Sequence, residues 1–286
     1  MEFGRVDPEE LKHISFELPP DPQQTIDTLK SSPVTDKFDL RVGATKWGRK
    51  EWLETFYPRS TKESEFLQEY VKHFNGIMLN ATFYQVYGPE QILKWKTQAA
   101  GNPDFKFYPV VSQSISHLRR LKNADELTAQ YIAGINAFGD ILGPSRLRLG
   151  DNFTPKSFPE LKAYVEALPE DFEVFFELRH KDWFTPEWIV QLDELFSRRK
   201  VGFAITDTAG RRDCVHMHLT VPKAFIVFSA TGDPELDKRR LDAWATRILD
   251  WKNKGLQSAG FFITGPEESA TPELCGYFSE QMARKA

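Results

Sequence analysis

"FEVFFELRHKDWFTPEWIVQLDELFSRRKVGFAITDTA", residues 172–209, reads as strand, helix, strand. Successive strand side chains point to opposite faces, so Val174, Phe176 and Leu178 share one face and Phe175, Glu177 and Arg179 the other. The middle stretch has Thr-Pro at its start, suited to a helix N-terminus, and then apolar residues at helical spacing. "VGFAITDTA" is a second apolar run. Strands joined through a helix pair in parallel by a crossover connection.

The same unit recurs along the chain. Strands are predicted at 39–47, 76–84, 105–113, 145–151, 172–179, 201–209, 223–232 and 258–265. Between them lie helical patterns such as "NADELTAQYIAGINAFG", "SFPELKAYVEAL" and "ELDKRRLDAWATRILDWKNKG", the last ending on a glycine stop. Eight such units in 286 residues predict a TIM-type (β/α)8 barrel, an α/β fold, as a single domain over 38–286. Residues 1–37, rich in proline and polar residues, are expected to be an N-terminal extension packing on it. One βα unit is irregular: between strands six and seven, "GRRDCVHMHLTVP" is too short and broken for a regular helix.

Composition narrows the function classes. Net charge is −4, which gives no global attraction to nucleic acid or anionic membrane, so a nucleic-acid partner is not expected. Two cysteines without metal-ligand spacing, no apolar run of membrane-spanning length and no signal-peptide core in "MEFGRVDPEELKH" predict a cytoplasmic protein without a disulfide framework. No Walker A, G-x-G-x-x-G or G-x-S-x-G motif is present, which disfavours P-loop, dinucleotide and serine-hydrolase readings.

In a barrel the strand faces turned to the helices are apolar, so the polar set faces the axis. That places Glu177 and Arg179 inward from strand five, Arg146 and Arg148 from strand four, and Asn80, Thr82 and Tyr84 with Met78 from strand two. Strand one contributes Arg41, Thr45 and Trp47. Two readings of this face stand side by side. Buried charges persist when paired, so Glu177 with Arg148 or Arg179 can be a structural ion pair. The excess of arginine over acid also suits a pocket for phosphate or carboxylate, which guanidinium matches with two parallel hydrogen bonds.

Five stretches, "VGATKWGRKEWLETFYP", "HFNGIMLNATFYQVYG", "SISHLRRL", "FELRHKDWF" and "RLDAWATRILDWKNKGLQSAGFFI", resemble the YecE-like family, domain of unknown function 72. The resemblance covers roughly residues 40–265 in one order. It implies a TIM-barrel-like fold, distantly similar to the barrels of xylose isomerases and apurinic endonucleases, and no established activity. Trp47 falls on the opening motif, Asn80, Thr82, Phe83 and Tyr84 on an Asn-x-Thr-Phe-Tyr motif, His117 and Arg120 on a His-containing segment, and Glu177, Arg179 and Trp183 on a Glu-x-Arg…Trp motif. The chain departs from the pattern elsewhere. Met78 stands for an acid, Val110 for a lysine, Arg148-Leu149-Gly150-Asp151 for Gln-Leu-Pro-Pro, and Ser229 and Thr231 for an arginine and a histidine. Ile263-Thr264 replaces an asparagine pair.

The candidate site therefore comprises His117, Glu177 and Asp207 as catalytic groups and Trp47, Asn80, Tyr84, Arg148 and Arg179 as substrate contacts. His117 follows strand three, where a site loop belongs, and imidazole titrates near neutrality. Asp207 ends strand six before a basic loop, as a general base or a metal ligand would, or as a helix cap. No cofactor is expected. The metal alternative rests on His216 and His218, whose alternate spacing puts both rings on one face, and a three-ligand set would need Glu177, Asp207 and a histidine to converge. The expected function is an enzyme of hydrolase or lyase type acting on a small or sugar-like anionic substrate. The alternative is a non-catalytic binding module for nucleic acid or a protein partner that has lost family site residues.

Overall fold

The computed structural model describes residues 3–35, 37–266 and 268–285. Its strands are β1 (Asp39–Ala44), β2 (Gly76–Leu79), β3 (Lys106–Pro109), β4 (Ser145–Arg148), β5 (Val174–Glu177), β6 (Gly202–Asp207), β7 (Lys223–Ser229) and β8 (Ser258–Thr264). The α-helices are α1 (Gln23–Lys30), α2 (Phe66–Tyr70), α3 (Ala81–Tyr84), α4 (Pro89–Gln98), α5 (Asp125–Ile135), α6 (Phe158–Ala167), α7 (Pro186–Arg199), α8 (Pro234–Lys254) and α9 (Thr271–Lys285). Residues 208–222 hold only the 3-10 turn Arg212–Cys214.

The strands do not close into the expected eight-stranded barrel. Six are hydrogen-bonded in the order β1-β8-β7-β6-β5-β4, all parallel, and β2 and β3 form a separate parallel pair. Local chemistry explains why the ladders stop. Pro109 in β3 has no N–H, so the contact with the β4 segment reduces to Gly143 N–H on the Phe107 carbonyl (2.7 Å) and Val111 N–H on the Arg146 carbonyl (2.8 Å). In β2 the strand ends at Leu79, because Asn80 adopts helical angles (φ −68°, ψ −18°) and α3 follows. Half of the strand predicted over 76–84 is therefore a helical turn, and the alternation stops with it.

The chain forms two compact units. One comprises the residues up to Ala44 together with those from Ala204 onward. Its helices α8 and α9 cover β8: Phe261 stacks on Phe278 at 3.9 Å and meets the edge of Trp244 at 6.1 Å. All three are fully buried, and each such aromatic contributes on the order of 2–3 kcal/mol by leaving water. Asp233 caps α8, accepting from the N–H groups of Glu235 and Leu236, and Pro234 opens its first turn. The helix ends at Gly255 (φ +121°), where a Cβ would come 2.2 Å from the Leu29 carbonyl. Ahead of α1, residues 3–20 run along this unit as a strap in which no residue is buried. Its Gly4 carbonyl accepts from Gly210 N–H (2.8 Å) and Thr208 Oγ1 (3.0 Å).

The second unit is Thr45–Phe203. The strand-helix-strand stretch is its best-packed part: Phe196 of α7 lies 5.3 Å from Phe176 and 4.7 Å from Phe203. On the opposite face Phe175 lies against Gly202, where a Cβ would sit 2.3 Å from the ring. Trp183 stacks on Phe153 and donates to its carbonyl at 2.7 Å. Among the described residues, no helix is long and apolar enough to cross a membrane.

Candidate functional site

Alternation along β4 and β5 brings Arg146, Arg148, Glu177 and Arg179 to one face of the second unit. Registry places Arg146 beside Phe175 and Arg148 beside Glu177. Glu177 is buried, and both carboxylate oxygens are taken: Arg146 Nη2 pairs with Oε2, and Arg179 Nε donates to Oε1 at 2.7 Å. Burial alone raises a carboxyl pKa, but here Arg146, Arg179 and Arg148 outweigh it and hold Glu177 down at about 2. Burial lowers Arg146 to about 10, which leaves it charged. Its other donor, Nη1, reaches Met78 Sδ at 3.3 Å, the position where the resemblance implies an acid. Arg179 also approaches Asp151, Nη1 to Oδ1 3.9 Å.

Arg148 differs from its neighbours. Among the described residues it has no ion-pair partner, and its Nε is buried without a hydrogen bond. The Nε of Arg146 is also unbonded, but that side chain has Glu177. The Arg148 guanidinium lies over the Phe83 ring, 4.2 Å from the centroid. Its pKa is lowered by burial first, while Glu177 raises it and Arg179 lowers it further. An arginine held this way is an unmet demand for an anion.

His117 meets the other edge of Phe83, ring centroids 5.2 Å apart and near perpendicular. It sits in a π-helical turn, Ser114–Leu118, followed by Arg120 and Leu121 with φ of +50° and +67°. Such turns and such left-handed non-glycine residues concentrate at functional sites. Burial lowers the His117 pKa, Arg148 and Arg179 lower it further, and Glu177 and Asp151 only partly offset this. The imidazole is therefore neutral near pH 7. Ser116 Oγ lies 3.2 Å from the Ser112 carbonyl and 2.9 Å from His117 Nδ1. The hydroxyl has one proton: given to the Ser112 carbonyl, it makes Nδ1 the donor and leaves the lone pair on Nε2, and given to Nδ1, it puts the ring proton on Nε2. Nε2 lies about 4.0 Å from where a Gly150 Cβ would sit.

The remaining predicted residues have surroundings of their own. Tyr84, on α3, is 71% exposed and packs edge-on to Phe83 at 5.2 Å. Asn80 gives its backbone to the turn, accepting from Phe83 N–H at 3.1 Å. Trp47 joins an aromatic group, 5.7 Å from Trp95, and its carbonyl accepts from Tyr57 Oη at 3.0 Å. Asp207 belongs to the other unit, where Arg240 Nη2 donates to Oδ1 at 2.8 Å, Trp244 Nε1 donates to Oδ2 at 2.6 Å and Arg212 pairs with Oδ1. Burial would raise its pKa, but Arg240 and Arg212 hold it below the usual range. Phe16 of the strap lies over both guanidiniums, 4.9 Å from Arg240 and 5.1 Å from Arg212. His216 Nδ1 accepts from His218 N–H at 3.3 Å. Among the described residues no three His, Cys, Asp or Glu side chains are grouped to hold a metal ion.

Sequence reasoning did not assign Phe83 its position as the common neighbour of Arg148, His117 and Tyr84, nor Ser116 as the partner of His117. It left both Asp151 and Arg146 out of the site. The alternation that placed Arg148 and Glu177 already contained Arg146.

Residues 41–286 match the family described as "Protein of unknown function DUF72". The UPF0759 protein YecE of Escherichia coli K12 is 25% identical over 254 residues, 82% of this chain and 89% of that protein. The protein of the same name from Escherichia coli O157:H7 is 23% identical over the same shares. Among solved structures, a DUF72 family protein of Enterococcus faecalis superposes with a TM-score of 0.68 at 16% identity, over 85% of this chain and 95% of that one. One from Thermotoga maritima gives 0.63 at 18% identity, over 86% and 98%.

Proposed function

Since this chain belongs to the DUF72 family, whose function is not established, its activity has to be argued from the site, and we propose that it binds a small anion, phosphate or carboxylate, at the ends of β4 and β5. The observation that carries the reading is the Arg148 guanidinium, mostly buried and left without an ion-pair partner among the described residues, while Arg146 and Arg179 are occupied by Glu177. His117 supplies the chemistry. In the tautomer with Nδ1–H on Ser116, its neutral ring accepts a proton at Nε2 from the bound molecule or from water beside it, as a lyase or hydrolase requires. In this reading Glu177 is a fixed counter-charge that orients arginines, and the structural ion pair and the anion site are both present, on different arginines.

Thermal unfolding in the presence of inorganic phosphate or acetate tests this. Both anions should raise the melting temperature of the wild-type chain, because anything that binds the folded state alone stabilises it. Arg148→Met should melt higher than wild type without anion, having lost an unpaired buried charge, and should show no anion-induced rise. A rise that persists in Arg148→Met refutes the proposal.

A further inference from the structure

We infer that the site on β4 and β5 selects singly charged anions over dianions, and that Asp151 is the residue that sets this preference. This rests on the anion-site reading above and narrows its substrate class to carboxylates and phosphodiesters, against phosphate monoesters. The Asp151 Oδ1 lies 3.9 Å from Arg179 Nη1. The loop that carries this carboxylate is fastened on both sides. Before it, Leu149 N–H donates to the Glu177 carbonyl at 3.0 Å, continuing the pairing of β4 with β5. After it, Phe153 N–H closes a turn on the Gly150 carbonyl at 2.9 Å, and Trp183 Nε1 donates to the Phe153 carbonyl at 2.7 Å. Arg120 grips the same turn with two donors, Nη1 on Asn152 Oδ1 at 2.9 Å and Nη2 on the Asn152 carbonyl at 3.1 Å.

A carboxylate fixed beside an anion site works against the ligand, and the charge count shows to what end. Arg146, Arg148 and Arg179 face Glu177 and Asp151, with His117 neutral, so the cluster carries one positive charge in excess. Arg120 is engaged with Asn152, and its charge joins that of Lys122 in holding the Glu160 carboxyl low. One bound monoanion brings the cluster to zero. A dianion leaves it net negative among groups largely withdrawn from water, where like charges repel most strongly. Asp151 acts on both residues assigned to the ligand. Burial lowers the pKa of His117 and of Arg148, and Asp151 is among the charges that work against it in each. With Asp151 uncharged the excess would be two, and a dianion would be neutralised in full.

The experiment is calorimetry on the full chain at about pH 8 and low ionic strength, where charge is least screened. It compares acetate and dimethyl phosphate, both monoanions, with methyl phosphate, whose second pKa of about 6 makes it a dianion there. Wild type should bind dimethyl phosphate about tenfold more tightly than methyl phosphate, the scale of one like-charge contact in partly solvated surroundings. Asp151→Asn, which keeps the size of a side chain 57% exposed, should bring that ratio close to one by tightening methyl phosphate. Methyl phosphate binding wild type as tightly as the diester, or a ratio unchanged in the variant, overturns this inference while leaving the anion site standing. So does acetate binding with neither ester bound by either protein. Failure of all three probes to bind wild type overturns both.

Discussion

Arg146 and Arg148 lie two residues apart on one strand and have opposite surroundings. Arg146 faces a carboxylate with nowhere else to go, and removing that carboxylate strands a buried cation. Glu177→Gln should therefore lower unfolding stability by about 3–5 kcal/mol, measured in denaturant. The wild-type pair also gives a pH signature. With the folded pKa at about 2 against an ordinary 4.5, its stabilisation is fully present above pH 4.5 and is lost as pH falls from there toward 2. The Gln variant should lack that part of the acid transition. His117 offers a second readout. Since Arg148 helps hold its pKa down, the His117 ring protons should titrate at higher pH in Arg148→Met than in wild type, which proton NMR measures directly.

At the scale of elements, β5, α7 and β6 are where pattern and structure agree most closely. Period-two alternation and a Thr-Pro helix start are local properties, and there the local preferences and the packing coincide. Gly202 is the weak point of that unit: its missing Cβ is the space the Phe175 ring fills. Gly202→Ala should cost about 1–3 kcal/mol by overpacking, read from the denaturant midpoint. The arginines and Glu177 were legible for the same reason, as members of one strand face. Two elements were not. The π-helical turn at His117 depends on which carbonyl an N–H finds, a choice that residue types at 114–118 do not encode. The bend at Asn80 is held by Thr82, whose hydroxyl lies 2.8 Å from the Leu79 and the Val110 carbonyls, donating its one proton to one of them, and accepts from Val110 N–H at 3.0 Å. That hydroxyl stitches the ends of β2 and β3 together beside the proline that breaks the ladder.

For the molecule as a whole, eight alternating units implied closure, but closure depends on ladder bonds that Pro109 and the bend after Leu79 withhold. No count of units reveals that. Glu177 and Asp207 are each enclosed by arginines of their own unit. Asp207→Asn should consequently destabilise the chain by about 1–3 kcal/mol, because Arg240 loses one charged partner but keeps Asp237, in contrast to the higher melting temperature expected of Arg148→Met. The N-terminal strap has a different consequence. Residues 3–20 include no buried side chain, so they open at little cost, and trypsin should cleave first at exposed Lys12 while the strands remain intact. Phe16 shields the two arginines that fix Asp207, and Asp207 fixes the indole N–H of Trp244. The strap thus comes with its own optical reporter: the emission difference between wild type and Trp244→Phe should shift to the red as the strap lifts and water reaches the indole.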